Sequence, residues 1–155
     1  MARSIGADRL TLLGFLLAAA ACGAPGPRPL AYGSETCAHC HMTLLDPRFS
    51  AELLTTTGRA IPFDDIGCLG SFVAAGGVPA AQLRSLWASA FLPPHDLLEV
   101  SRAVFLRSPA LHTPMDYGIV ALVPGPAADS LRAALGGELL PWDSVLAALR
   151  SKPGR

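Results

Sequence analysis

Residues 63–77 read FDDIGCLGSFVAAGG, and this stretch carries the local signals for a complete change from strand to helix to turn. Asp64-Asp65 offers an N-cap, because a carboxylate there accepts the free backbone N–H groups of the first helical turn. The apolar run that follows predicts a helix from about Ile66 to Ala75. Gly76-Gly77 ends it, since glycine tolerates the left-handed conformation found after many helices. Residues 85–91 then predict a further strand.

The same order of signals returns later in the chain. A helix is predicted from Ala127 to Leu135, Gly136-Gly137 ends it, and Glu138 to Leu140 is predicted as a short strand. Two apolar segments, 103–106 and 117–123, are predicted as strands before this helix. A closing helix is predicted from residue 142 to residue 150.

The strands that precede the first helix show a different pattern. Phe49, Ala51 and Leu53 alternate with polar residues, which predicts a half-buried strand. Residues 59–63 predict a second strand, and Pro62 favours an edge position because proline cannot donate a ladder hydrogen bond. We therefore expect an α+β fold with two similar halves, about 37–92 and 96–150, each with antiparallel strands and a packed helix. The expected core contains Phe49, Leu53, Phe72, Trp87, Val120, Leu122 and Leu131.

The N-terminus has the features of an export signal. Arg3 and Arg9 precede an apolar run from Leu10 to Ala21, which is too short for a membrane span but typical of a secretory signal. Small residues lead directly into Cys22, which predicts a lipoprotein signal peptide over residues 1–21 and lipidation of Cys22. Ordinary cleavage that leaves Cys22 free is the alternative. We expect an exported chain, lipid-anchored to a bacterial membrane and facing the periplasm.

Residues 22–36 are rich in proline and glycine, which predicts a flexible tether before a metal-binding domain at 37–155. Without residues 1–21 the chain has 10 basic and 11 acidic residues, and no stripe of lysine and arginine. We therefore expect no nucleic-acid partner. Cys37, Cys40 and Cys68 are an odd number of cysteines, which argues against a framework made only of disulfides.

Residues 37–42, CAHCHM, place two thiols, two imidazoles and one thioether in six positions. Thiolate and thioether sulfur favour soft ions such as Cu(I), whereas imidazole also suits zinc and iron. The literal pattern C-x-x-C-H also matches a c-type haem attachment site, and a C-x-x-C pair also occurs in thiol-disulfide exchange. These three interpretations stay open on the motif alone.

Several segments together resemble the NosL family of copper-chaperone lipoproteins, which is associated with maturation of nitrous oxide reductase. The resemblance rests most specifically on the Cys-x-x-Cys-x-Met opening and on Phe-Asp-Asp-Ile-Gly-Cys at 63–68, and it extends through residues 115–121 to 136–143. The family usually has glycine between the second cysteine and the methionine, where this chain has His41. This exchange adds a possible ligand.

The resemblance implies a Cu(I) carrier, not an enzyme, on the outer side of the cytoplasmic membrane. It implies Cys40 and Met42 as ligands, with Met115 completing the site from the second half of the chain. The implied partner is a copper-acceptor protein, nitrous oxide reductase or one of its assembly factors. A second, harder ion such as Zn²⁺ could bind beside the copper. Its ligands would be His39 or His41, together with Cys37 and with Asp64 or Asp65.

Other residues have simpler interpretations. Cys68 lies in the first turn of an apolar helix and is expected to be a small buried residue. Cys37 and Cys40 could form a resting disulfide that is reduced before copper binds. The haem interpretation would use Cys37 and Cys40 for thioether bonds and His41 as the axial ligand, but cytochromes c are mainly helical, whereas a Pro/Gly-rich segment precedes this motif and strands follow it. The redox interpretation lacks the expected strand before the motif and leaves Met42 without a role.

Overall fold

The computed structural model describes residues 26–151, in which seven strands form two antiparallel sheets and three α-helices pack against them. The strands are β1 Ala51–Thr55, β2 Ala60–Phe63, β3 Leu83–Ser89, β4 Leu97–Glu99, β5 Val104–Arg107, β6 Ile119–Leu122 and β7 Glu138–Leu140. The helices are α1 Ile66–Ala74, α2 Pro126–Leu135 and α3 Trp142–Arg150. Within residues 26–151, no helix is long and apolar enough to cross a membrane.

The two sheets repeat one topology. The first has the order β2-β1-β3-β4 and the second the order β6-β5-β7, so in each half the first strand lies between the second strand and the strand after the helix. All of these pairs are antiparallel. This confirms the predicted α+β fold of two similar halves. The one addition is β4, which follows residues 92–96 in the chain but pairs with β3 of the first half.

The central strand of the first sheet is more buried than its alternating pattern predicts. All five residues of β1 are buried, including the side chain of Glu52. The segment before the metal motif covers this polar position, because the backbone N–H of Arg28 donates to Glu52 Oε1 at 3.1 Å. The guanidinium of Arg28 also pairs with Glu35. Burial raises the pKa of the Glu52 carboxyl, whereas the neighbouring Arg28 opposes that rise.

These contacts bear on the segment predicted as a tether. The part of it that the structure describes forms no helix or strand, as its proline and glycine content predicts, apart from one bridge between Thr36 and Thr43. Leu30 nevertheless packs against the hydrophobic core. The remaining tether residues, the signal peptide and Cys22 lie outside residues 26–151, so those features stay predictions.

The core joins the two halves. Of the seven expected core residues, four are buried: Phe49, Leu53, Val120 and Leu122. Phe72 and Leu131 are half-buried and pack against the core clusters, whereas Trp87 is half-buried and belongs to neither cluster. Helix α1 lies centrally, and its first five residues are all buried. It packs closely on α3, since a Cβ added at Gly70 would overlap the side chain of Leu149. The start of α1 is therefore fixed in the interior.

Candidate metal site

The CAHCHM motif forms the tip of a small hairpin over residues 33–44. The backbone N–H of Gly33 donates to Leu44 O at 2.8 Å, and that of Cys37 donates to Met42 O at 2.8 Å. Between them lies the bridge of Thr36 and Thr43. These bonds close the six-residue motif into a tight loop, which brings Cys37 and Cys40 near each other.

Two further backbone features fix this loop. Ala38 N–H donates to Pro62 O at 3.0 Å, so the hairpin attaches to the edge strand β2. His41 has φ of 65°, in the left-handed region that glycine adopts most easily and that histidine adopts more often than most residues. The turn therefore holds His41 in a backbone conformation that glycine would adopt with less strain. It also leaves His39 and His41 exposed to solvent.

Two side chains from the start of α1 meet the two motif cysteines. The ligand atoms of Cys37, Cys40, Asp64 and Cys68 all lie within 4.8 Å of one another. Asp64 and Cys68 stand four positions apart, just before and just inside the first turn of α1, so they project to the same side of the helix start. Cys37, Asp64 and Cys68 are buried, whereas Cys40 is partly exposed. We call these four residues the thiol cluster.

All three cysteines of the cluster are free thiols, and each sulfur has hydrogen-bond partners. The Cys40 thiol donates to Asp64 Oδ1 at 3.2 Å. The Cys68 thiol donates to the Cys37 sulfur, and the backbone N–H groups of Cys40, Asp64 and His39 also point to that sulfur. Together these donors lower the pKa of Cys37 to about 6, although burial alone would raise it.

The other two thiols retain their protons. Burial, together with donation to Asp64 and the nearby Cys37, raises the pKa of Cys40 to about 12. Donation to Cys37 and burial raise the pKa of Cys68. At neutral pH the three cysteines of the cluster are therefore one thiolate and two thiols. A metal ion must displace a proton from each thiol that it binds.

Met115 reaches the same region from the second half of the chain. It lies in the loop between β5 and β6, is half-buried, and packs against the core cluster that includes Cys37 and Cys68. Its backbone N–H donates to Asp65 Oδ2 at 3.0 Å. Met42, in contrast, is 51% exposed at the hairpin tip. Met115 is thus partly covered by the core, whereas Met42 faces solvent.

The structure therefore brings some of the predicted site residues together and leaves others apart. Cys37 and Cys40 lie in the thiol cluster, Met115 lies in a loop held against the start of α1, and His39, His41 and Met42 face solvent. Asp65 is the helix cap that the sequence predicts, since its Oδ1 accepts from Gly67 N–H at 2.7 Å. Cys68 is buried as expected.

The place of the Cys68 sulfur in the thiol cluster is not predicted from the sequence, where Cys68 is expected to be only a small buried residue. The available signal was the spacing of four between Asp64 and Cys68 at a helix start, which puts an oxygen and a sulfur on one side of the helix. The fold thus adds a second pair of possible ligands, Asp64 and Cys68, to the two cysteines of the motif.

The donor set defines which ions could bind. In a tetrahedral site with zinc–sulfur bonds of about 2.3 Å, neighbouring sulfurs lie roughly 3.8 Å apart, so the cluster needs only a small contraction around an ion. Three sulfur donors favour Cu(I) or Zn²⁺ over hard ions such as Mg²⁺ and Ca²⁺, which prefer oxygen. The arrangement can thus bind a soft or borderline ion close to the surface, with Cys40 on the solvent side.

Comparison with known proteins identifies a solved structure with a similar fold. No protein-family model matches the chain, and no curated protein matches it significantly in sequence. Among solved structures, the chain is similar to the crystal structure of the copper chaperone NosL from Shewanella denitrificans, with a TM-score of 0.65. The alignment has 20% sequence identity and covers 77% of this chain and 96% of that chain. The chain therefore has a NosL-like fold.

Proposed function

We propose that this protein is a copper chaperone, which binds Cu(I) at the thiol cluster and delivers it to an exported copper protein. The observation that carries the proposal is the meeting of three cysteine sulfurs and a carboxylate within 4.8 Å, at the edge of a NosL-like fold. A carrier must hold its ion tightly and still release it. Thiolates supply the affinity, and a partly exposed ligand such as Cys40 lets an acceptor take over by ligand exchange.

We assign the thiolates of Cys37 and Cys40 and the thioether of Met115 as the three copper ligands. Cu(I) is well satisfied by two or three soft ligands, and thioethers add softness without charge. Met42, exposed at the hairpin tip, contacts the ion as it enters or leaves. Cys68 and Asp64 support the ligands, because each accepts or donates a hydrogen bond at one of the two cysteine sulfurs.

A Cu(I) competition titration against a chromophoric chelator tests this assignment. We expect about one ion per chain for the wild type, a large loss of affinity for Cys40→Ser, and smaller losses for Met115→Ala and Met42→Ala. Cys68→Ser is the matched control, a cysteine change in the same cluster that should mainly lower stability. If Cys40→Ser and Met115→Ala both bind like the wild type, the proposed copper site is wrong.

A second candidate is a Zn²⁺ site, which the four-donor cluster favours. Cys37, Cys40, Cys68 and Asp64 would complete a closed tetrahedral set of the kind found in structural zinc sites. The exposed imidazoles of His39 and His41 could instead bind a Zn²⁺ ion nearer the surface. A competition between the two ions distinguishes the candidates. The zinc site is favoured if the protein retains Zn²⁺ in an excess of Cu(I) and if this retention requires Cys68 and Asp64.

The haem and redox interpretations gain less support. A c-type haem needs both cysteine sulfurs at the haem edge, whereas Cys37 is fully buried inside the domain. A thiol-disulfide exchange protein needs an accessible attacking thiolate, whereas the lowered pKa belongs to this same buried Cys37. An absorption spectrum of the purified protein separates the haem case at once, because haem gives a Soret band and a Cu(I) chaperone does not.

We further propose that Cys22 carries a lipid anchor and that the copper acceptor is nitrous oxide reductase or one of its assembly factors. The motif at residues 10–22 and the sequence resemblance support this assignment. Cys22→Ser should release the protein from the membrane fraction. Production of the chain in a denitrifying strain that lacks its own NosL should restore nitrous oxide reduction, and Cys40→Ser should not. A wild-type protein without an acyl chain would contradict the anchor.

A further inference from the structure

The loop that carries Met115 is attached to the start of α1 by a single carboxylate. Asp65 is fully buried and uses both of its oxygens. Its Oδ1 accepts from Gly67 N–H at 2.7 Å, which caps α1, and its Oδ2 accepts from Met115 N–H at 3.0 Å. The hydroxyl of Thr113 donates to the same carboxylate. One side chain thus joins a helix of the first half to a loop of the second half.

Other contacts hold the same loop in the same place. A Cβ added at Gly67 would overlap the ring of Tyr117, so this ring lies directly on the first turn of α1. The Tyr117 hydroxyl lies 3.1 Å from Ser71 Oγ, one turn further along the helix. The loop therefore follows the surface of α1, and the glycine at position 67 permits that close approach.

The loop is also tightly turned on itself. Asp116 N–H donates to Thr113 O at 2.9 Å, and Thr113 Oγ1 accepts from Tyr117 N–H at 3.1 Å. Met115 lies inside this turn. The internal hydrogen bonds fix the shape of the turn, so its orientation on the domain depends on its contacts with α1. At Met115 that contact is the hydrogen bond from the backbone N–H to Asp65.

We propose that Asp65 is a positioning residue of the copper site, which holds Met115 beside the thiol cluster through its bond to the Met115 backbone. This inference rests on the proposed function, since Met115 matters only if it binds the ion. The neighbouring carboxylates thus have different roles: Asp64 accepts from the Cys40 thiol, whereas Asp65 accepts from the backbone of Met115, the third proposed ligand. The removal of such supporting contacts typically lowers metal affinity about 10- to 100-fold.

Asp65→Asn is the sharpest test. Asparagine is as good an N-cap as aspartate, but one of its two terminal atoms is a donor. When the amide oxygen stays on Gly67 and caps α1, the amide NH₂ faces Met115, whose N–H then loses its acceptor. Asp129→Asn is the matched control, because Asp129 is an exposed acidic residue in the first turn of α2, the equivalent helix of the other half. Thr113→Val provides a second variant that removes another donor to the Asp65 carboxylate.

We expect three results for Asp65→Asn. Amide hydrogen exchange at Met115 in the metal-free protein should speed up, whereas exchange in α2 should not change. The methyl carbon signal of Met115 should shift less on addition of Cu(I) than in the wild type, with the methyl group of the exposed Ala127 in α2 as internal reference. Cu(I) affinity should fall about 10- to 100-fold.

A double-mutant cycle separates positioning from general destabilisation. In a Met115→Ala background, Asp65→Asn should cause little further loss of Cu(I) affinity, because the ligand that it positions is already absent. If the two losses add, Asp65 does not act through Met115 and the inference is wrong. If Met115→Ala alone binds like the wild type, the ligand assignment has failed and the inference falls with it. Should Asp65→Asn fail to fold, Asp65→Ser takes its place in the same cycle, because serine keeps one capping oxygen for Gly67 but has no second oxygen for Met115.

Discussion

The two halves of the molecule share a scaffold but differ at the places where chemistry occurs. Each half has a strand pair, a helix ended by Gly-Gly, and a third strand beside the first. The cap and first turn of α1 are all buried, and their residues are Asp65, Ile66, Gly67 and Cys68. At the corresponding positions of α2 only the last residue is buried, and these residues are Gly125, Pro126, Ala127 and Ala128. The position of Cys68 in α1 is therefore that of Ala128 in α2.

The difference extends to the loops. The connection between β1 and β2 is a short turn over residues 56–59, whereas the connection between β5 and β6 is the long loop over residues 108–118, which lies on α1. The hairpin at 33–44 adds the two motif cysteines. A hairpin at the start of the first half and a loop of the second half thus both meet the start of α1. In the proposed copper site, the first half supplies the two cysteine ligands and the second half supplies Met115.

The largest expected effect concerns the chemistry that only the first half carries. Cys40→Ser should lower Cu(I) affinity at least about 100-fold, because an alcohol does not replace a thiolate for a soft ion. The measurement is the chelator competition titration. Ser130→Ala, which changes an exposed serine of α2 in the second half, is the control and should leave the affinity unchanged. Equal affinities for the wild type and Cys40→Ser would remove the distinction between the halves.

The dependence of Cu(I) affinity on pH should report the same thiols. The pKa of Cys37 is about 6 and that of Cys40 about 12, so between these values copper displaces one proton, from Cys40. Affinity should then rise about tenfold per pH unit above pH 6, and about 100-fold per unit below it, where both thiols are protonated. Titrations at several buffered pH values measure this slope. An affinity independent of pH would mean that neither thiol is a ligand.

The second residue of α1 is Gly67 and that of α2 is Ala127, and each can be replaced by the residue of the other helix. Gly67→Ala should cost about 1–3 kcal/mol of stability or more, because the new methyl group overlaps the Tyr117 ring. The reverse change in α2, Ala127→Gly, should cost at most about 1 kcal/mol, since Ala127 is exposed. Urea unfolding of the metal-free proteins gives both values. Similar losses for the two variants would contradict the close contact between α1 and the second-half loop.

The smallest effect is expected for Cys68→Ala, which gives α1 the residue that α2 has at the same position. The domain should stay folded with a loss of about 1 kcal/mol, because a small buried side chain replaces another. The pKa of Cys37 should rise toward its ordinary value, since the donor that lowers it most is gone. Thiolate absorbance in the ultraviolet as a function of pH measures this change. A larger loss of Cu(I) affinity than in Cys37→Ser would instead make Cys68 a ligand.

The sequence by itself determined the features that depend on near neighbours. The Asp65 cap of α1 and the glycine pairs that follow α1 and α2 fix both helices to within a residue of their predicted ends. The position of Pro62 places β2 at an edge. The spacing of Cys37 and Cys40 guarantees that two thiols lie together in one turn. Turn, capping and pairing rules act over a few residues, so a single sequence reveals them.

Only the tertiary structure decided which distant residues join that pair of cysteines. Cys68 has the sequence signature of an ordinary core residue, and its place in the thiol cluster follows from the packing of the hairpin against β2 and the start of α1. The burial of Glu52 likewise depends on Arg28, and the placement of Met115 on Asp65. These contacts join residues 24 or more positions apart, and their formation depends on how whole elements pack, which no local pattern encodes.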